Sequence, residues 1–202
     1  MKCGVPFCVR EASEGVKIVG KLEVELCSEH ASKFRKIENY WDSINEDAFN
    51  KLHPLLYNAR NLLGDALSLF AMGFNDASAV MVRASLEAAL HSVLSMRNPR
   101  FSNDGMLSTY DHDKAYDKYS LSQLICEAKK KELLGGELVE CAMRIKDYGD
   151  FAAHVNERQW KQFEAFDPNN FKLWTNDNEA EEALKCIIKI INHLTSKIAR
   201  GS

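Results

Sequence analysis

Three cysteines and a histidine open the chain in two pairs, Cys3-Gly-Val-Pro-Phe-Cys8 and Cys27-Ser-Glu-His30. No other pattern in the sequence restricts folding as tightly. Two donors from a tight turn and two from the start of a helix can converge on one tetrahedral ion. Three soft thiolates and one imidazole suit zinc. Between the pairs, Val16-Lys-Ile-Val-Gly-Lys-Leu-Glu-Val-Glu-Leu26 alternates loosely around Gly20, which predicts a short hairpin. A two-stranded hairpin alone is marginal in water, so something has to staple it. A bound ion does so, because metal affinity becomes folding free energy in a module this small. The competing reading, two incidental cysteine clusters in a flexible arm, does not account for the two pairs flanking one hairpin. Four protein ligands also close the coordination sphere and leave no position for a reacting water. The expected zinc is therefore structural.

This knuckle resembles zinc-ribbon and treble-clef elements in its four ligands and their spacing. Cys126, Cys141 and Cys186 instead stand singly in helical, apolar-patterned segments and read as small buried hydrophobes. With 202 residues, 46% hydrophobic and 27% charged, the chain can build one real core plus an appendage. Its net charge of -3 makes any nucleic-acid binding a matter of a local patch. No apolar run is long enough for a membrane span, and the opening Met1-Lys2-Cys3-Gly4 lacks the apolar region of a secretory signal. A cytoplasmic location with reduced cysteines is expected.

Beyond His30 the periodicity is helical. Ala31 to Tyr40 predicts a short helix with His30 in its first turn, followed by a connection in which Ser43 or Asn45 can serve as an N-cap. Leu52, Leu55, Leu56, Ala59, Leu62, Leu63, Ala66, Leu67 and Phe70 recur at three-four spacing, with Pro54 at or near the start. Gly73-Phe74-Asn75-Asp76 ends that helix and opens one carrying Val82, Leu86, Leu90 and Leu94. Residues 98 to 119 are polar, show no sustained period, and read as a long loop. Ser120 caps a helix expected to reach about Leu134, Gly135-Gly136 breaks it, and another runs to about Val155. An irregular, aromatic-rich stretch covers 156–176, and Leu184 to Ile198 forms a strong terminal helix. No internal repeat is visible, and no strand is expected outside the knuckle. The fold class is all-α, with a zinc knuckle at 1–40 and a helical bundle at 46–202.

Two helices carry a family resemblance. Asn75-Asp-Ala-Ser-Ala-Val-Met-Val-Arg83-Ala-Ser-Leu-Glu87-Ala-Ala-Leu90 resembles the signature helix of domain-of-unknown-function family 4145, with its Arg followed by a Leu-Glu pair. Arg144-Ile-Lys-Asp-Tyr-Gly149-Asp150-Phe-Ala-Ala-His154 is similar to that family's Arg-x-x-Gly-Asn-x-Ala-x-His segment. Leu121 to Ile125 and the Ala180 to Ile198 helix follow in matching order, so the resemblance spans about 46 to 198. It implies a HEPN-like bundle that pairs as a homodimer, in a superfamily that includes metal-independent ribonucleases. In the active members, an Arg, a polar residue and a His line one helix. The His moves a proton at the ribose hydroxyl or leaving oxygen, and the Arg stabilises phosphate charge. This chain keeps Asp150 and His154 one helical turn apart, but Gly149 stands where that Arg belongs. Arg144, Lys146 and Arg83 are the candidate substitutes, none at the ribonuclease spacing, although Lys146 takes the Arg position of the family's own Arg-x-x-Gly pattern.

The bland alternatives are specific. Asp150 and His154 can be a hydrogen-bonded pair that fixes two helices. Arg83 and Glu87 fit a helix-stabilising ion pair, and Lys129-Lys130-Lys131 fits a solvated face. His53, His91, His112 and His193 carry little signal. Three functions follow. The first is a non-enzymatic HEPN-like binding or scaffold module, with RNA or a protein effector as partner, in a prokaryotic defence or stress system. The second is an endoribonuclease using His154 and Asp150. The third is an assembly subunit that docks a larger effector through the knuckle and the 156–176 segment. Loss of the motif Arg favours the first and third.

Overall fold

In the computed structural model the residue that caps the first helix is itself a candidate ligand. Cys27, in extended backbone, is the N-cap of α1 (Ser28–Asp42), and its carbonyl accepts the Ala31 amide at 2.9 Å. The structure describes residues 2–5, 8–18, 22–153 and 176–200. Ahead of α1, β1 (Glu14–Ile18) and β2 (Leu22–Leu26) pair antiparallel in the register Glu14 opposite Leu26. The Cys3 amide donates to the Arg10 carbonyl and the Gly4 amide to that of Glu25, which lays the cysteine turn against the hairpin. Cys3, Val5, Val16, Leu26, Cys27 and Ala31 form a small core of their own, with Met72 from the helical body packed against it.

Next come α2 (Glu46–Lys51), α3 (His53–Ala71) and α4 (Asn75–Ser95). Pro54 sits in the first turn of α3, where its missing N–H costs nothing, so the helix starts there and is not kinked. Asn45 precedes α2, and Asn192 clamps that connection: it accepts the Asn45 amide and donates to the Ser43 carbonyl. Gly73, at a φ of 84°, makes the turn between α3 and α4, a left-handed conformation that strains side-chain-bearing residues. Small residues let α3 and α4 lie close, with buried hydroxyls of Ser78 and Ser85 donating across to the Ala66 and Ala59 carbonyls. α5 (Leu121–Lys130) opens on a full capping box made by Ser120 and Gln123 and is shorter than its pattern suggested. It is followed by α6 (Gly136–Ala153) and α7 (Asp177–Arg200). α4 is the central helix, packing on α3, α5, α6 and α7.

Two expectations fail. The stretch from 98 to 119 is not a loop: β3 (Met96–Phe101) and β4 (Leu107–His112) form a second antiparallel hairpin, followed by a 3-10 turn at Lys114–Tyr116. Only Leu107 is buried along the two strands, so the alternation that announces a half-buried strand never develops. Pro99 fits because the register shifts between Arg97 and Arg100, which frees that position from the ladder. Among the described residues the protein is thus mostly helical with two hairpins, rather than purely helical outside the knuckle. Cys126 is exposed, not buried, because the inward face of α5 is Leu121, Leu124, Ile125 and Ala128. Cys141 and Cys186 are buried as expected and lie 2.9 Å apart, sulfur to sulfur, between α6 and α7. Burial, with Cys141 alongside, pushes the Cys186 thiol up to about 12. Residue His154 and the aromatic residues of 156–175 fall outside the described residues.

Candidate metal centre

All four predicted ligands meet. The sulfurs of Cys3, Cys8 and Cys27 and a ring nitrogen of His30 lie within 4.8 Å of one another. His30 presents Nδ1, 3.4 Å from Cys3 Sγ and 3.2 Å from Cys27 Sγ, while Cys8 Sγ is 4.0 Å from Cys27 Sγ. A tetrahedral ion with metal–sulfur bonds of ~2.3 Å and metal–nitrogen bonds of ~2.0 Å separates its ligands by ~3.8 Å and ~3.5 Å respectively. The Cys3–His30, Cys27–His30 and Cys8–Cys27 pairs already stand close to those separations, so the group can hold a metal ion such as zinc. Cys3, Cys27 and His30 are buried and Cys8 is half-buried. Burial opposes charge on Cys27, but hydrogen bonding from the His30 backbone and from the Cys3, Cys8 and His30 side chains outweighs it. The thiol falls from 9.0 to about 7, toward the thiolate that metals bind. At Cys8 the Arg10 backbone hydrogen bond lowers the pKa, but burial and the neighbouring thiols prevail and raise it.

The helical body supports this site from behind. The other ring nitrogen of His30, Nε2, lies 3.8 Å from where a side chain on Gly73 would begin, so the imidazole rests on the α3–α4 turn. One turn along α1, buried Lys33 reaches across to Asp177 at 2.9 Å, with its ammonium 5.5 Å from the Phe70 ring centre. Burial opposes the Asp177 charge, yet Asn75 and Lys33 hydrogen-bond to it and hold it below the usual carboxylate range. Lys36 and Tyr40 then both engage Glu181. One helix therefore carries a ligand at its start and ties to α7 along its length.

The residues considered for catalysis divide. Arg83 of α4 donates to Asp150 of α6 at 2.7 Å and to Glu87 at 3.3 Å, and Lys146 donates to the other Asp150 oxygen at 2.8 Å. Both cations thus converge on one carboxylate. Burial works against the Asp150 charge, but the Lys146 hydrogen bond and the Arg83 charge keep it below its ordinary range. Arg144 is elsewhere, paired with Glu182 of α7, which also accepts the Tyr148 hydroxyl. Gly149 explains the close approach: a β-carbon there would lie 2.5 Å from Arg83 Cβ and 2.6 Å from its Cδ. Sequence reasoning missed both Lys33–Asp177 and a grouping of His91, His112 and Asp117. Nothing local could reveal either, since each joins residues brought together only by the fold.

Fold and site together define a mostly helical protein with a candidate centre of three cysteines and one histidine. Comparison with protein-family models, curated proteins and solved structures gave no match. No helix among the described residues is long and apolar enough to cross a membrane.

Proposed function

We propose that this chain is a non-enzymatic, HEPN-like binding or scaffold module whose N-terminal knuckle is locked by a structural zinc ion held by Cys3, Cys8, Cys27 and His30. One observation carries the non-enzymatic reading. The position beside Asp150, where a ribonuclease of this kind needs Arg, is taken by Gly149, and a side chain there would collide with Arg83. Asp150 and Arg83 are meanwhile engaged with each other, and Lys146 completes the group. Losing one dedicated electrostatic group costs an enzyme about 100-fold to 1,000-fold in rate. The knuckle supports the same reading, because four protein donors around one ion leave no open position for chemistry. The module works in the cytoplasm of a prokaryote, in a defence or stress system, with RNA or a protein effector as its partner.

The test is an assay on single-stranded and structured RNA. Wild-type protein and His154→Ala are expected to behave alike, with neither cleaving. Cleavage by the wild type, lost in a folded, zinc-loaded His154→Ala, would establish the endoribonuclease instead.

The HEPN-like reading also implies a symmetric homodimer. Light scattering at tens of micromolar is expected to give twice the chain mass of 22.9 kDa. A monomer at that concentration removes the dimer, and with it any composite site shared between two copies.

A further inference from the structure

The second hairpin does more than fill a gap: at its foot, where Met96 pairs with His112, and in the turn that follows, it brings two residues toward α4. His112 closes β4, Asp117 follows the 3-10 turn, and His91 projects from α4. Both imidazoles point Nε2 at the same oxygen, His112 at 2.7 Å and His91 at 3.5 Å from Asp117 Oδ1. Their ring centres are 5.7 Å apart, and the three ligand atoms lie within 4.8 Å of one another. Ligands ~2.0–2.2 Å from a common ion stand roughly 3 to 3.6 Å apart, so small side-chain rotations would seat one here.

We infer that His91, His112 and Asp117 form a second metal site, an open one that takes a divalent first-row ion such as zinc. Two neutral imidazoles and a carboxylate suit such ions, where the thiolates of the knuckle select softer binding. A hydrogen-bond tie would bring each ring separately onto the carboxylate, whereas one divalent ion engages all three ligand atoms at once. Three protein ligands leave coordination positions for water or a small ligand. His91 and Asp117 line a cavity of about 390 Å³ that also holds Asn58, Glu87, Ser92 and Tyr119. Glu87 in turn pairs with Arg83, so the open site shares a wall with the Arg83–Asp150 network. Its side chains are 32 to 45% exposed, which gives an incoming ion a path.

Cobalt distinguishes the two sites in the full chain. Thiolate ligation gives intense charge-transfer absorption, whereas imidazole and carboxylate ligation gives only weak d–d bands. The thiolate signal should saturate first, after which further cobalt adds weak bands in the wild type. Calorimetry with zinc on knuckle-loaded protein should likewise register one additional ion per chain. His112→Gln and His91→Gln, each checked for native circular dichroism, should weaken that additional binding by more than tenfold and leave the thiolate signal intact. Loss of an outer-shell partner alone costs about 10-fold to 100-fold. Absence of the additional binding in the wild type, or its persistence at full strength in both variants, overturns the assignment.

Discussion

Chelating the proposed zinc ion is expected to unfold the N-terminal knuckle and leave the helical body intact. Among the described residues the knuckle's core has six members, and two of them, Cys3 and Cys27, are themselves candidate ligands. Modules this small do not bury enough apolar surface to hold an ordered hairpin without a metal or a disulfide. Zinc binding to finger-like peptides supplies about 10–16 kcal/mol of apparent free energy near neutral pH, which is of the order of a whole domain's stability. The body does not depend on that contribution, because its own cluster runs continuously through α3, α4, α5, α6 and α7. Hydrogen exchange is the measurement. On chelation, the amides of Glu14–Ile18 and Leu22–Leu26 are expected to lose protection, while those of α4 and α7 keep theirs. Zinc added back restores the pattern, but not in Cys27→Ser. Unchanged hairpin protection in the metal-free protein would show that packing on Met72 and α1 is enough.

What the sequence disclosed, and what it hid, follows from how far each signal reaches. The four ligands were legible because residue type and short spacing define them locally. α3, α4 and α7 were legible because each buries a face whose period runs over many turns. Met96–Phe101 and Leu107–His112 were illegible because solvent wets nearly every side chain of both strands, so no alternation exists to read. Cys126 was misplaced for a different reason. Cysteine's general preference for burial points inward, but the three-four spacing of Leu121, Leu124, Ile125 and Ala128 already sets the buried face of α5 and leaves Cys126 off it. Asp117 and its two histidines depend on the hairpin, and so were lost with it. Gly149 stands out in the sequence only as a departure from the resembled motif, and its close approach to Arg83 appears only when α6 is laid against α4.

That close approach makes Gly149→Ala a decisive substitution. In an open helix, Gly→Ala stabilises by up to ~1 kcal/mol, since alanine gives up less backbone freedom. Here the new methyl would sit 2.5 Å from Arg83 Cβ, an atom bonded directly to the α4 backbone that cannot rotate away. The helices must therefore separate. Overpacking of this kind typically costs about 1–3 kcal/mol, which exceeds the propensity gain and decides the sign. At ~2–4 °C per kcal/mol for a chain of this size, the melting temperature is expected to fall by several degrees. Gly64→Ala is the control: it too lies inside a helix, but its nearest neighbour, the Trp41 ring, is at an ordinary 3.9 Å, so it should be neutral or stabilising. Gly149→Arg restores the residue a ribonuclease would need and is expected to destabilise more than the alanine, without gaining cleavage. The Arg83–Asp150 bond should weaken in both variants, since its geometry depends on the same close approach. A Gly149→Ala protein as stable as the wild type would mean that α4 and α6 part at no cost, and that an arginine beside Asp150 is sterically allowed.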